Sequence, residues 1–137
     1  MPARQDEKYS YVDDFDRSEF ARLLRMVVIE TWDGGARVAM DVSGKRNPLG
    51  NAHGGAIFAL ADHAFGIAAN QEIFNEVAVS ASIQYIAPAV ERLEAVAEKV
   101  SENNLNSLYR VVVYEGSRIV AIFEGVGMKM AQKEPVP

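Results

Sequence analysis

Hydrophobic positions along this chain follow two periods, one suited to a helix and one to a strand, and the switches between them mark eight elements. Asp14-Phe15-Asp16-Arg17-Ser18-Glu19 favours a helix start, because acidic side chains suit the positive end of a helix dipole. Phe20, Leu23, Leu24 and Val27 follow at helical spacing. Val27 to Trp32 then begins a strand. Asp33-Gly34-Gly35 signals a turn, and Ala36 to Val42 returns with Val38, Met40 and Val42 alternating, which predicts a hairpin. Ser43 to Ala52 holds Pro48, two glycines and two asparagines, so it reads as a loop. From Gly54 to about Phe74 the pattern predicts one long helix. Ile57, Phe58, Leu60, Ala61, Ala64, Phe65, Ile67 and Ala68 spread around so much of its circumference that it must be covered on most sides. Four strands follow: Val77 to Ile86, Leu93 to Glu102, Ser107 to Tyr114 and Arg118 to Met130. Ala87-Pro88-Ala89, Asn103-Asn104 and Glu115-Gly116-Ser117 separate them.

Helix, two strands, buried helix, four strands is an α+β order. It fits an antiparallel sheet wrapped round one long central helix. At 137 residues, the chain suits a single domain over 1–137, with fraying expected at 1–10 and 132–137, where the sequence is polar or proline-containing. The absence of cysteine excludes disulfides and thiolate metal sites and fits a cytoplasmic protein. The first twenty residues lack the apolar stretch of a signal peptide. No segment approaches the roughly 20 apolar residues of a membrane span, so no membrane partner is expected. The net charge of −5 and the lack of a basic cluster argue against nucleic acid. His53 and His63 have no obvious third ligand beside them, so no metal is expected.

Chemistry concentrates in Asn47-Pro48-Leu49-Gly50-Asn51-Ala52-His53-Gly54-Gly55 and in Leu60-Ala61-Asp62. Gly54 and Gly55 sit where loop becomes helix, and without Cβ atoms they let a ligand approach the backbone. The first N–H groups of a helix lack internal partners and point along its positive end, so they stabilise an oxygen gaining negative charge. Asp62 is flanked by Leu60, Ala61, Ala64 and Phe65. A carboxylate so placed should have a raised pKa, and such groups mark functional sites. Singly, a Gly-Gly helix start or a helical aspartate is more often structural; the combination with the asparagine-rich loop shifts the balance. Eight helical residues span roughly 12 Å. One carbonyl carbon cannot easily meet both Gly54 and Asp62 of the same helix, which points to two antiparallel copies sharing their sites.

Asn-x-x-Gly-x-x-His-Gly-Gly followed by Leu-Ala-Asp resembles the signature of the hotdog thioesterases related to the phenylacetate-pathway thioesterase. The resemblance extends over about residues 20–130 and includes the strand Ser82-Ile83-Gln84-Tyr85-Ile86-Ala87-Pro88-Ala89. It implies a hotdog fold and hydrolysis of an acyl-CoA thioester, with coenzyme A as part of the substrate and no cofactor. Gly54, with Gly55, would offer backbone N–H to the thioester carbonyl. Asp62 of the partner subunit would be general base or nucleophile. Asn47 would position water or thioester, and His53 would shape the loop before the helix. Phe65, Ser80 and Ser82 are the expected substrate-binding residues. The family often carries Ser or Thr where this chain has Ala78, and Ser80, of the same strand-face parity, is expected to stand in. The turn after Pro88-Ala89 is usually glycine-containing, whereas here it is Val90-Glu91-Arg92. A homodimer, and from the resemblance a homotetramer, is expected. Two alternatives share the fold: a non-catalytic acyl-CoA-binding protein, which Asp62 argues against, and an acyl-CoA dehydratase or hydratase, for which His53 and Asp62 superficially supply a His–acid pair.

Overall fold

A computed structural model describes residues 18–71 and 75–130. The expected fraying at 1–10 and 132–137 lies outside the described residues. A short helix α1 (Glu19–Leu23) leads to β1 (Met26–Trp32) and β2 (Gly35–Met40). The long helix α2 (Gly54–Ala69) follows, then β3 (Glu76–Tyr85), β4 (Leu93–Glu102), β5 (Asn106–Glu115) and β6 (Arg118–Lys129). All pairings are antiparallel, in the order β1-β2-β4-β5-β6-β3.

The hairpin of β1 and β2 is set by Gly34, whose φ of 74° suits a turn that other residues resist. Trp32 packs so closely on Gly35 that no Cβ fits there. α2 lies across the sheet. Its Leu60, Ala61, Ala64 and Ile67 are fully buried against Val38, Met40, Leu93, Val111, Val113 and Phe123. Phe58 meets Phe123 edge-on at 5.4 Å, and Phe65 meets Tyr109 in the same way at 5.4 Å. Truncating a residue such as Leu60 to alanine should destabilise the protein by about 2–5 kcal/mol, because a close-packed interior does not refill the cavity.

Two expected boundaries move. The first helix has Ser18 as its cap, accepting from the Ala21 N–H at 3.3 Å, and it spans only five residues. Arg25, at a φ of 55°, turns the chain away, so Val27 belongs to β1 rather than to the helical stripe. The Asp14–Arg17 part of that start lies outside the described residues. The long helix ends at Ala69 rather than near Phe74, because the buried Asn70 closes it. Its Nδ2 donates to the Gly66 carbonyl at 2.8 Å while its Oδ1 accepts the Glu76 N–H at 2.8 Å, which starts β3.

β1 and β3 are the sheet edges. β3 is ten residues long with one charge, Glu76, and exposes Val77, Val79 and Tyr85. Long edges so lightly charged are open to further pairing. Among the described residues, no helix is long and apolar enough to cross a membrane.

Candidate active site

The loop before α2 is tied together by Asn47. Its Oδ1 accepts the N–H groups of Leu49 at 2.9 Å and Asn51 at 3.1 Å, and its own N–H donates to the Asn51 carbonyl at 2.8 Å. The side-chain oxygen is therefore committed to the loop, and only Nδ2 is left to meet a ligand, as a donor. Asn47 lines a cavity of about 290 Å³ together with Asn51, Gly54, Ile57, Tyr85 and Pro88.

His53 is the N-cap of α2, and its Nδ1 accepts the Gly55 N–H at 2.9 Å. The Ala56 and Ile57 N–H groups are taken by the His53 carbonyl at 2.9 and 3.1 Å. Gly54 is left as the first-turn amide without a hydrogen-bond partner among the described residues, and it faces the Asn47 cavity. This narrows the expected pair of donors. The Gly55 amide serves the cap, which leaves Gly54 as the open donor of the two in this structure. The same bond ties His53 Nδ1 to the start of the helix.

Tyr85, assigned no role from the sequence, donates its hydroxyl to the Gly54 carbonyl at 2.9 Å. A Cβ on Gly54 would lie 3.4 Å from the Tyr85 ring and hydroxyl, in van der Waals contact, so Tyr85 packs directly over this position. The cavity wall formed by Ile86, Ala87 and Pro88 is held from behind by Glu115 and Arg118. Glu115 accepts the Val90 and Glu91 N–H groups at 2.7 and 2.9 Å, and Arg118 donates to the Pro88 carbonyl at 2.7 Å and to Glu115 at 2.6 Å. These bonds hold the carboxyl of Glu115 down to about 2. They fix the turn that lacks the family's glycine. In the sequence Glu115 reads only as part of a tight turn, and no local motif marks its reach to Val90.

Asp62 belongs to another cavity, of about 380 Å³, lined by Phe20, Met26, Ala59, Phe65, Val77 and Ala78 among others. The carboxyl reaches the protomer surface at the rim, yet the surrounding protein removes enough water to raise its pKa above the ordinary aspartate value. The expected raised pKa is thus present. Phe65 lines the cavity. Ser80 and Ser82 do not line it in the protomer, and the parity expected of Ser80 does not hold. A bulge between Ala78 and Ser80 breaks the parity of β3. Ala78 pairs with Gly127, beneath Phe65, whereas Ser80 and Ser82 pair with Val126 and Glu124 on the other face of the sheet. The cavity wall opposite Asp62 is therefore the methyl group of Ala78.

The two cavities share no lining residue, so one protomer holds Asn47 and Gly54 apart from Asp62. Among the described residues, no three His, Asp or Glu side chains are grouped to hold a metal.

Residues 49–122, more than half the chain, match the family model described as thioesterase superfamily. The acyl-coenzyme A thioesterase PaaI of Escherichia coli K12 is 30% identical over 115 residues, covering 81% of this chain and 82% of that protein. The structure of E. coli PaaI, from the phenylacetic acid degradation operon, superposes with a TM-score of 0.83 at 26% identity, over 88% of this chain and 90% of that one. A mutant of the phenylacetic acid degradation protein PaaI from Thermus thermophilus gives 0.79 at 34% identity, over 82% and 100%. A hypothetical thioesterase from Streptococcus pneumoniae, solved with coenzyme A, shares the fold at 0.80 and 22% identity, over 90% and 99%. The six-stranded antiparallel sheet with its helix packed across it is the hotdog fold, and the chain belongs to the thioesterase superfamily, where its relatives are PaaI-like.

Proposed function

We propose that this protein hydrolyses acyl-coenzyme A thioesters to the free acid and coenzyme A, at sites shared between two protomers. The observation that carries the reading is the open Gly54 N–H at the start of α2, beside the Asn47 amide, in a protein that also holds a desolvated carboxylate at Asp62. The Gly54 N–H and Asn47 Nδ2 donate to the thioester oxygen as it gains charge. Asp62 of the partner takes a proton from water while the water oxygen bonds to the carbonyl carbon. The tetrahedral intermediate then expels the sulfur, and the proton passes from Asp62 to the departing thiolate. Coenzyme A bound to the S. pneumoniae neighbour supports this class of substrate.

Sharing between protomers follows from the separation of roughly 12 Å along α2 between Gly54 and Asp62. The lightly charged β3 edge gives a second copy a place to pair, which would continue the sheet and run the two helices antiparallel. The homodimer, its pairing into a tetramer, one domain over 1–137, and a cytoplasmic location all belong to this proposal.

The test is thiol release from a panel of aromatic, short-chain and medium-chain acyl-CoAs, run in parallel with crotonyl-CoA hydration. Release that falls at least about 100-fold in Asp62→Asn, with the fold and acyl-CoA binding kept, supports the reading. Binding without turnover in the wild type would make the protein a non-catalytic acyl-CoA binder, and hydration without release would make it a hydratase.

A further inference from the structure

Glu76 lines the Asp62 cavity, and it also lines a second cavity of about 560 Å³. No other described residue lines both. The two spaces are stacked along α2. Ala59, Asp62, Phe65 and Gly66 line the first, and Ala68, Ala69 and Gln71, about one turn further on, line the second. The edge-on pair of Phe65 and Tyr109 divides them on one side, since Phe65 faces the first cavity and Tyr109 the second. The Glu76 side chain divides them on the other.

Glu76 is held in place from three directions. Asn70 clamps its backbone, accepting from its N–H at 2.8 Å. The Ser107 hydroxyl, almost fully buried, donates to its Oε1. Gly127 leaves the space that the carboxylate fills, since a Cβ there would lie 2.7 Å from Oε1 and 3.4 Å from the Phe65 ring. The side chain is thus a fixed partition. An alkyl chain pushed against it would strip water from a carboxylate without offering a hydrogen bond, which is unfavourable.

We propose that the Asp62 cavity takes the acyl chain and that Glu76 is its length stop, so that the protein accepts acyl groups that end before Glu76 and rejects those that must pass it. The proposal rests on the acyl-CoA reading above. Removing the side chain would open the first cavity towards the second, where Ala68, Ala69, Tyr109 and Met130 line the wall together with polar residues such as Lys99 and Glu102.

The experiment is the kcat/KM profile of the full chain over straight-chain acyl-CoAs of increasing length, for the wild type, Glu76→Ala and Glu76→Gln. The wild type should show a sharp fall beyond one chain length. In Glu76→Ala the fall should move to longer chains, with a gain of about 10-fold or more at the first length the wild type rejects, relative to the shortest substrate. Glu76→Gln, which keeps the bulk, should leave the cut-off where it was. Should Glu76→Ala fail to fold, Ser107→Ala, which frees the partition from its anchor, should blur the cut-off towards longer chains. An active, folded Glu76→Ala or Ser107→Ala with the wild-type profile overturns the length stop. A wild type that releases thiol from no acyl-CoA overturns the acyl-CoA reading instead, and the length stop with it.

Discussion

The hydroxyl of Tyr85 donates to the carbonyl of Gly54 at 2.9 Å, joining the end of an edge strand to the first residue of the central helix. The donor that faces the Asn47 cavity is the N–H of that same glycine. That carbonyl lies in the Gly54–Gly55 peptide, so Tyr85 acts on the Gly54 N–H indirectly, by holding the first residue of the helix in place. Tyr85→Phe keeps the ring against Gly54 and removes the bond. The expected loss is about 1 kcal/mol of stability and a kcat lowered by about 3- to 10-fold with KM little changed, because the amide matters most once charge develops. Steady-state kinetics and thermal melts check both. A KM effect alone would make Tyr85 a ground-state contact.

His53 tests capping against proton transfer. Its Nδ1 holds the Gly55 N–H, a task that asparagine performs equally well. His53→Ala should destabilise the protein by about 0.5–2 kcal/mol and lower activity with it. His53→Asn should restore stability and most of the kcat. If the His53→Asn protein is stable yet inactive, the ring acts in the chemistry and not merely as the cap.

The raised pKa of Asp62 has two consequences of opposite sign. As a base it must be ionised, so kcat/KM should fall as pH drops through its raised value, above the range of an ordinary aspartate. For stability, a folded-state pKa above the unfolded one means that the fold favours the protonated form. Its contribution is fully present below the unfolded value of about 3.8 and is lost as pH rises through the folded one. Asp62→Asn should therefore melt higher than the wild type near neutral pH, by roughly 2–4 °C, with the gap closing in acid. An equal or lower melting temperature at neutral pH would mean that the carboxylate is paired in the assembled protein.

Glu115 shows the reverse sign. Its carboxyl sits at about 2 against an ordinary 4.5, so the stability it gives is present above about 4.5 and is lost as pH falls towards 2. Glu115→Gln should flatten that acid dependence in melts. It should also loosen the Ile86–Pro88 wall, raising KM several-fold while kcat stays within about twofold. A fall in kcat at constant KM would put Glu115 closer to the reaction than the wall it holds.

The sequence was most legible where chemistry and local pattern coincide. The strand bounds of Leu93–Glu102 match the alternation of Leu93, Ala95 and Ala97, and the Gly-Gly helix start lies where the loop signals end. What escaped it is non-local. Tyr85 reaches Gly54 across 31 positions, and Glu115 reaches Val90 across 25, and no window on the chain contains either pair. Ser80 misled for a different reason. Parity along a strand assumes a regular ladder, and one extra residue between Ala78 and Ser80 turns every later side chain to the other face. Asn70 ended the long helix through its side chain, while the apolar pattern offered no stop until further on.

The shared site is tested by mixing two inactive proteins. Asp62→Asn removes the carboxylate from one cavity. Gly54→Val adds bulk to the other, since a Cβ there already stands in van der Waals contact with Tyr85 at 3.4 Å and the two methyl groups of valine extend beyond it. Within one protomer the two positions lie roughly 12 Å apart along the helix and open into separate cavities. If each site takes Gly54 from one protomer and Asp62 from its partner, a mixed dimer has one site with both lesions and one with neither. With random exchange half the dimers are mixed, so activity should return to roughly a quarter of wild type. Mass spectrometry of the intact dimers establishes that exchange has occurred. Mixed dimers that remain as inactive as the parents would move the chemistry into a single chain, and the separation of the two cavities would then have to close by movement of α2 or its loop.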